Sequence, residues 1–195
     1  MNVLIAYESS GAVRQAFRKL GHYAWSCDLQ PADDGSIYHL QMDAKKAIEE
    51  PALLIGHWDL IIMHPSCTAL CVSGNRHYGK GKPKHDQRLE AIDYTLAMLK
   101  LAKSNAAAVC MENPVGVLPV KASQYVQPWQ FGHGECKKTG FWLHNLPKLQ
   151  PTDIVEGREQ RIWKLGPSPD RWKIRSKTFS GIACAMADQW GSLDI

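Results

Sequence analysis

The sequence predicts an α/β fold in which a mostly parallel sheet is covered by helices on both faces. Three observations carry that expectation. Short apolar runs alternate with stretches whose apolar residues recur at helical spacing, which is the pattern of βαβ units. Two of the runs, Leu60-Ile61-Ile62-Met63 and Ala106-Ala107-Ala108-Val109-Cys110-Met111, are apolar without a break, as strands buried on both faces must be. The chain also opens as strand, tight small-residue turn and helix, the start of a nucleotide-type unit. At 195 residues, 45% hydrophobic and 22% charged, it is expected to form one domain over 1–195 with a substantial core.

In chain order, Val3 to Ala6 is the first strand, Tyr7-Glu8-Ser9-Ser10-Gly11 the turn, and Ala12, Val13, Ala16, Phe17 and Leu20 the apolar face of the first helix. Ser9 or Ser10 is expected to cap that helix and Gly21 to end it. Tyr23 to Cys27 forms the second strand and meets Asp28. An acidic residue there, about 20 residues beyond the turn, is where nucleoside cofactors have a ribose hydroxyl accepted. The segment from Gln30 to Gly56 is less regular, with a short strand ending near Met42 and Asp43 and a helix over Ala44 to Glu50.

The run Asp59 to Met63 is a buried strand that stops at His64-Pro65-Ser66-Cys67-Thr68. A thiol delivered to a sheet edge by a rigid strand is placed as a nucleophile needs to be. The basic, glycine-rich loop that follows, from Ser73 to His85, carries Arg76, Lys80, Lys82 and Lys84; it is expected to be exposed and mobile, either as solvated surface or as a lid that holds phosphates. Asp86 to Lys103 reads as a long helix with Leu89, Ile92, Leu96 and Leu99 facing inward. The next strand runs from Ala106 to Met111 and ends at Glu112-Asn113-Pro114, so a carboxylate joins the thiol at a second strand end.

Tyr125 to Gly134 is expected to be a packed loop, Thr139 to Leu143 a strand, Arg161 to Leu165 a shorter strand, Gly166 to Lys177 an exposed loop, and Ser180 to Trp190 a last helix with Ile182, Ala183, Met186 and Trp190 on one side. No internal repeat is present. The six cysteines are scattered rather than packed into a small loop-rich frame, which suits free thiols. His64, Cys67, Cys71 and His77 fit no zinc spacing, so no metal is expected. No stretch approaches the roughly 20 apolar residues of a membrane span, and the N-terminus lacks a secretory signal; a cytoplasmic location is expected. The net charge of +4 permits a polyanionic partner without requiring one.

The order of the Tyr7–Gly11 turn, Asp28, Asp43, the Pro65–Thr68 loop, Glu112-Asn113 and the closing Gly181-Ile182-Ala183 helix resembles the S-adenosylmethionine-dependent DNA cytosine C5-methyltransferases, in particular the small members of phages and prophages. The likeness covers nearly the whole chain, and its specific pair is the thiol and Glu-Asn segments, about 45 residues apart. It implies a Rossmann-like class I methyltransferase fold, S-adenosylmethionine as cofactor and DNA as substrate. Cys67 would be the thiolate that adds to cytosine C6, Glu112 the carboxyl that polarises the ring from N3 and the exocyclic amine, and Asn113 its support. Arg158 or Arg161 would supply the arginine that assists at the base. Tyr7, Glu8, Ser9, Ser10, Gly11 and Pro65 would lie along the cofactor, with Asp28 at the ribose and Asp43 at the adenine. Arg76, Lys80, Lys82, Lys84 and Arg171 would contact nucleic acid.

The chain departs from that family's pattern in three places. Its turn has serines where glycines are usual, Ser66 stands directly before the thiol where proline is usual, and a short loop replaces the separate target-recognition domain before the last helix. Specificity is then expected to be low or supplied by a partner. Two other readings stay open: a fold retained for nucleic-acid binding or regulation without catalysis, and an enzyme acting on free cytosine nucleotides. Trp163 and Trp172, flanked by Arg161, Lys164, Arg171, Lys173 and Arg175, are either packing residues or platforms for unpaired bases.

Overall fold

A computed structural model describes residues 1–51 and 56–194. Part of the irregular segment between Gln30 and Gly56, residues 52–55, lies outside them. Seven strands form one sheet: β1 (Asn2–Ala6), β2 (Tyr23–Asp28), β3 (His39–Gln41), β4 (Trp58–Met63), β5 (Ala106–Pro114), β6 (Gln124–Val126) and β7 (Thr139–His144), in the order β3-β2-β1-β4-β5-β7-β6. The five strands from β3 to β5 run parallel; β7 enters antiparallel between β5 and β6. The helices are α1 (Ala12–Lys19), α2 (Ala44–Glu49), α3 (Asn75–Tyr78), α4 (His85–Asn105), α5 (Arg161–Lys164), α6 (Arg171–Ser176) and α7 (Ser180–Trp190). No helix among the described residues is long and apolar enough to cross a membrane.

Side-chain alternation along the buried strands sorts the core into two layers. Val3, Ile5, Leu60, Ile62, Ala108 and Cys110 face Val13 and Phe17 of α1 and Ile182, Met186 and Trp190 of α7. Leu4, Ala6, Ile61, Met63, Val109 and Met111 face Ile48 of α2 and Met98, Leu99 and Ala102 of α4. The strand order reverses between β1 and β4, so the crevice for a ligand lies outside the carboxyl ends of those two strands. That edge carries both the Tyr7–Gly11 turn and the His64–Cys67 loop.

Several local expectations are corrected. Arg161 to Lys164 is a helix, not a strand, and Arg171 to Ser176 within the expected loop is helical too; proline and glycine on either side keep both too short for periodicity to declare them. Leu89 is 48% exposed, because α4 turns Arg88, Thr95, Met98, Leu99 and Ala102 inward instead. Neither serine is the N-cap of α1: that residue is Gly11, with φ of 67°, where a Cβ would stand 2.3 Å from the Arg14 guanidinium. Ser10 Oγ accepts only a long 3.4 Å bond from Ala12 N. The basic loop is partly built, with a 3-10 turn over Val72–Gly74 followed by α3. The packed loop contains β6 and a 3-10 turn at Pro128–Gln130. The last helix matches its expected bounds, and Gly181 is needed at its start, since a Cβ there would stand 1.8 Å from the Phe131 carbonyl oxygen.

Candidate active site

Glu112 does not stop a strand. The parallel pairing of β4 with β5 ends at Met63↔Met111, but β5 continues because β7 pairs with it from the other side, setting Glu112 opposite Phe141 and Pro114 opposite Thr139. Glu112 is thus held by β7 on one flank while its side chain looks past the end of β4 on the other. There it meets His64, whose Nδ1 lies 3.2 Å from Glu112 Oε2. Burial works against ionisation of Glu112, but the His64 hydrogen bond, the Lys137 charge and the Thr139 hydroxyl outweigh it and hold the carboxyl below its ordinary value. An ionised Glu112 accepts a hydrogen bond from His64 Nδ1; the other ring nitrogen, Nε2, is buried with no partner among the described residues.

The thiol loop is stitched to this carboxylate segment. Asn113 Nδ2 donates to the Pro65 carbonyl at 2.9 Å, Val72 N to Val115 O at 3.2 Å, and Val117 N to Leu70 O at 3.0 Å. Gly116 permits the approach, since a Cβ there would stand 2.3 Å from Leu70 O. From the other side Arg88, buried in α4, donates to Ala69 O at 2.7 Å, Asn75 Oδ1 at 2.8 Å and Cys71 O at 3.4 Å. Replacing Arg88 with methionine strands these acceptors, so a urea titration is expected to show about 2–3 kcal/mol less stability, with greater protease sensitivity between Cys67 and Tyr78. Unchanged cleavage there would show that Arg88 does not hold the loop.

Within the loop Cys67 and Cys71 sit one helical turn apart, Cys71 N bonding to Cys67 O at 2.9 Å. Their thiols act on each other in opposite directions. The hydrogen bond to Cys71, burial and the negative charge of Glu112 push the Cys67 thiol up. The same bond, Ser73, the Gly74 backbone and the nearby Arg175 guanidinium bring Cys71 down to about 5. Of the two, Cys71 is the more readily ionised thiol. Cys27 and Cys110 are core thiols raised chiefly by burial, Cys27 to about 12.

A cleft at Glu112 is lined by Lys137, Thr139, Phe141, Thr178, Phe179 and Ile182, among others, and its interior has room for about one water molecule at most. Lys137 is the cation at this site that sequence reasoning missed. Arg161 instead pairs with Glu135 on the surface, and Arg158 stacks over Trp129 at 3.9 Å. Arg76, Lys80, Lys82 and Lys84 are exposed around α3, and Arg171 is half-buried at the start of α6.

The second half of the crevice gathers Tyr7, Asp28 and Asp43. Tyr7 ends β1 at φ of 62°, a conformation that costs a bulky residue energy and collects at functional sites. Its hydroxyl meets that of Tyr94 at 2.9 Å; burial, Tyr94 and the nearby Asp43 charge push its phenol up. Asp28 closes β2 and takes Gln30 N on Oδ1 at 2.9 Å, and Asp43 caps α2 through Lys45 N at 2.8 Å. Glu8 is buried and accepts from Val13 N at 2.8 Å and Arg14 N at 3.3 Å, so the start of α1 already holds a carboxylate. A dinucleotide would need those N–H groups for its pyrophosphate. Acidic groups spaced across three strand ends suit a cationic nucleoside cofactor instead, so the residues fit the nucleoside and sulfonium ends of S-adenosylmethionine.

No family model and no curated protein matches the chain. Among solved structures it is similar to a protein described as a DNA modification methyltransferase encoded within a prophage of E. coli, at 14% identity and a TM-score of 0.55 over 80% of this chain and 52% of that one. It is also similar to the methyltransferase EhMeth of Entamoeba histolytica, at 13% identity and a TM-score of 0.51 over 82% of this chain and 57% of the other. The chain spans little more than half the length of either. The likeness is one of fold, and the chain has a Rossmann-like architecture with a mostly parallel seven-stranded sheet.

Proposed function

We propose that this chain transfers a methyl group from S-adenosylmethionine to C5 of cytosine in DNA, through a covalent bond between Cys67 and C6 of the base. The observation that carries the reading is the stitching of the thiol loop to the Glu112 segment by the Asn113–Pro65 bond and the Leu70–Val117 pairing. These bonds tether two segments distant in sequence at one edge of the sheet, although Cys67 itself is not among the residues lining the Glu112 cleft. A pyrimidine between them meets a sulfur on one side and a carboxyl group on the other.

The thiol and carboxyl tasks divide among this chain's own groups. Cys67 gives its proton to the Cys71 thiolate as its sulfur adds to C6, which places electron density on C5. Glu112 takes a hydrogen bond from the exocyclic amine and, with a proton taken up from solvent as the base binds, donates one to N3; Lys137 and His64 keep it in position. S-adenosylmethionine, when bound, supplies an electrophilic methyl group on a sulfonium. Asp28 and Asp43 would hold its ribose and adenine, and Tyr7 and Pro65 would border its reactive end. After transfer, the C5 proton passes to water and the Cys67 sulfur departs from C6 and recovers its proton from Cys71, which restores the aromatic ring. A base in a duplex must leave the stack to reach Cys67, and the narrow cleft requires the Thr178-Phe179 segment to move aside.

Titration calorimetry with S-adenosylmethionine or its demethylated product, paired with mass spectrometry of nucleosides from exposed DNA, tests the reading. Cofactor binding and 5-methylcytosine are the expected results. Absence of cofactor binding would leave a fold without its chemistry, and a methylated free nucleotide with unmodified DNA would reassign the substrate.

A further inference from the structure

The surface ahead of α7 is chemically unlike the rest of the molecule. Arg161 to Lys177 holds six basic residues and one acidic one, a net +5, whereas the whole chain is net +4. The remaining 178 residues are therefore slightly acidic taken together. Into this concentrated positive charge the chain sets two large rings that do not pack: Trp163 is 68% exposed and Trp172 53% exposed. Keeping two indoles in water forgoes apolar burial that other Trp residues of this chain, such as Trp58 and Trp190, obtain in the core.

The anchoring of the segment sets it across the catalytic edge. Arg161 pairs with Glu135, shortly before Lys137. Lys173 bonds to Asp33 beyond β2 at 3.2 Å. Arg175 lies close enough to Cys71 to act on its thiol, and Thr178 and Phe179 line the Glu112 cleft. The Arg171 Nε is buried with no partner among the described residues. The segment that carries the charge, the exposed rings and this unpartnered guanidinium nitrogen thus runs on into the lining of the Glu112 cleft.

We infer that Arg161–Lys177 is a binding surface for an unpaired DNA strand, its basic residues holding phosphates while Trp163 and Trp172 stack bases. The inference rests on the DNA reading above and adds the substrate's form: single-stranded or locally opened rather than intact duplex. Stacking tolerates any base because each offers a π-face, and positive charge follows the backbone. Both contacts act before chemistry and need neither cofactor nor cytosine.

Fluorescence anisotropy of a labelled oligothymidylate of about 12 nucleotides, titrated with the full chain without cofactor, tests this. Binding is expected to exceed that of a duplex of equal length. It should weaken about tenfold in Trp163→Ala and Trp172→Ala, and survive in the corresponding Trp→Phe variants. The slope of log affinity against log salt should become shallower by roughly 0.7 when Lys164 or Arg171 is changed to glutamine; these variants serve also if an alanine variant fails to fold. Affinity indifferent to both rings, or equal binding of the duplex, overturns the inference. Because oligothymidylate holds no cytosine, that failure leaves methyl transfer standing, and a protein that binds it without methylating would fail only the catalytic reading.

Discussion

Replacing Cys67 with serine is expected to lower methyl transfer by at least about 10³-fold while cofactor affinity stays essentially unchanged. A hydroxyl in place of the thiol is a far weaker nucleophile and cannot give its proton to Cys71 with comparable ease. Asp28 at the end of β2, Asp43 at the cap of α2 and Tyr7 just after β1, by contrast, lie outside the thiol loop and are untouched by the change. The identity of the nucleophile cannot be read from alkylation, because Cys71, held down to about 5, should react first with iodoacetamide. A mechanism-dependent trap is needed. DNA carrying 5-fluorocytosine should become covalently attached through Cys67, since fluorine at C5 blocks the proton loss that releases the sulfur. A preparation that methylates but gives no such complex, or gives it through Cys71, would remove Cys67 from this role.

What was legible in the sequence follows from how far its physical cause extends along the chain. β1, β4 and β5 announce themselves because strands buried on both faces need unbroken apolar runs, and α7 because Ile182, Ala183, Met186 and Trp190 recur at helical spacing. β6 was hidden: three residues at a sheet edge, paired only to β7, leave no periodic trace. α5 and α6 were misread for the same want of length. The thiol and the carboxylate could be picked out by their strand-end contexts, but their surroundings could not. Lys137 gains its importance from the antiparallel register of β7 against β5, and His64 from looking across a strand boundary to Glu112; both are products of non-local pairing. Arg88, one position from Leu89, shows the limit of periodicity: α4 buries this cation and leaves the leucine expected to face inward half exposed. Glu8 was named as a cofactor residue, yet its bonds to Val13 N and Arg14 N also make it the cap that the neighbouring serines were expected to provide.

Exchange of Glu112 for glutamine should separate its two tasks. The amide keeps the shape and can hydrogen-bond the rim of a cytosine, so affinity for DNA is expected to change little. It cannot pass a proton to N3 as density builds there, so turnover should drop by roughly 10²–10³-fold. Equal losses in turnover and affinity would make Glu112 a binding group only. The folded protein supplies a second readout. Its Glu112 is held below the ordinary carboxyl value, so ionisation adds stability that is present above the unfolded value and is lost as pH falls through the lowered one. Glutamine has no such contribution. Urea midpoints of the two proteins should therefore lie furthest apart near neutrality and converge in acid, once the wild-type carboxyl is protonated. A gap of constant size across that range would mean that His64 and Lys137 do not stabilise a charge at position 112, and the carboxylate would lose its place opposite the thiol.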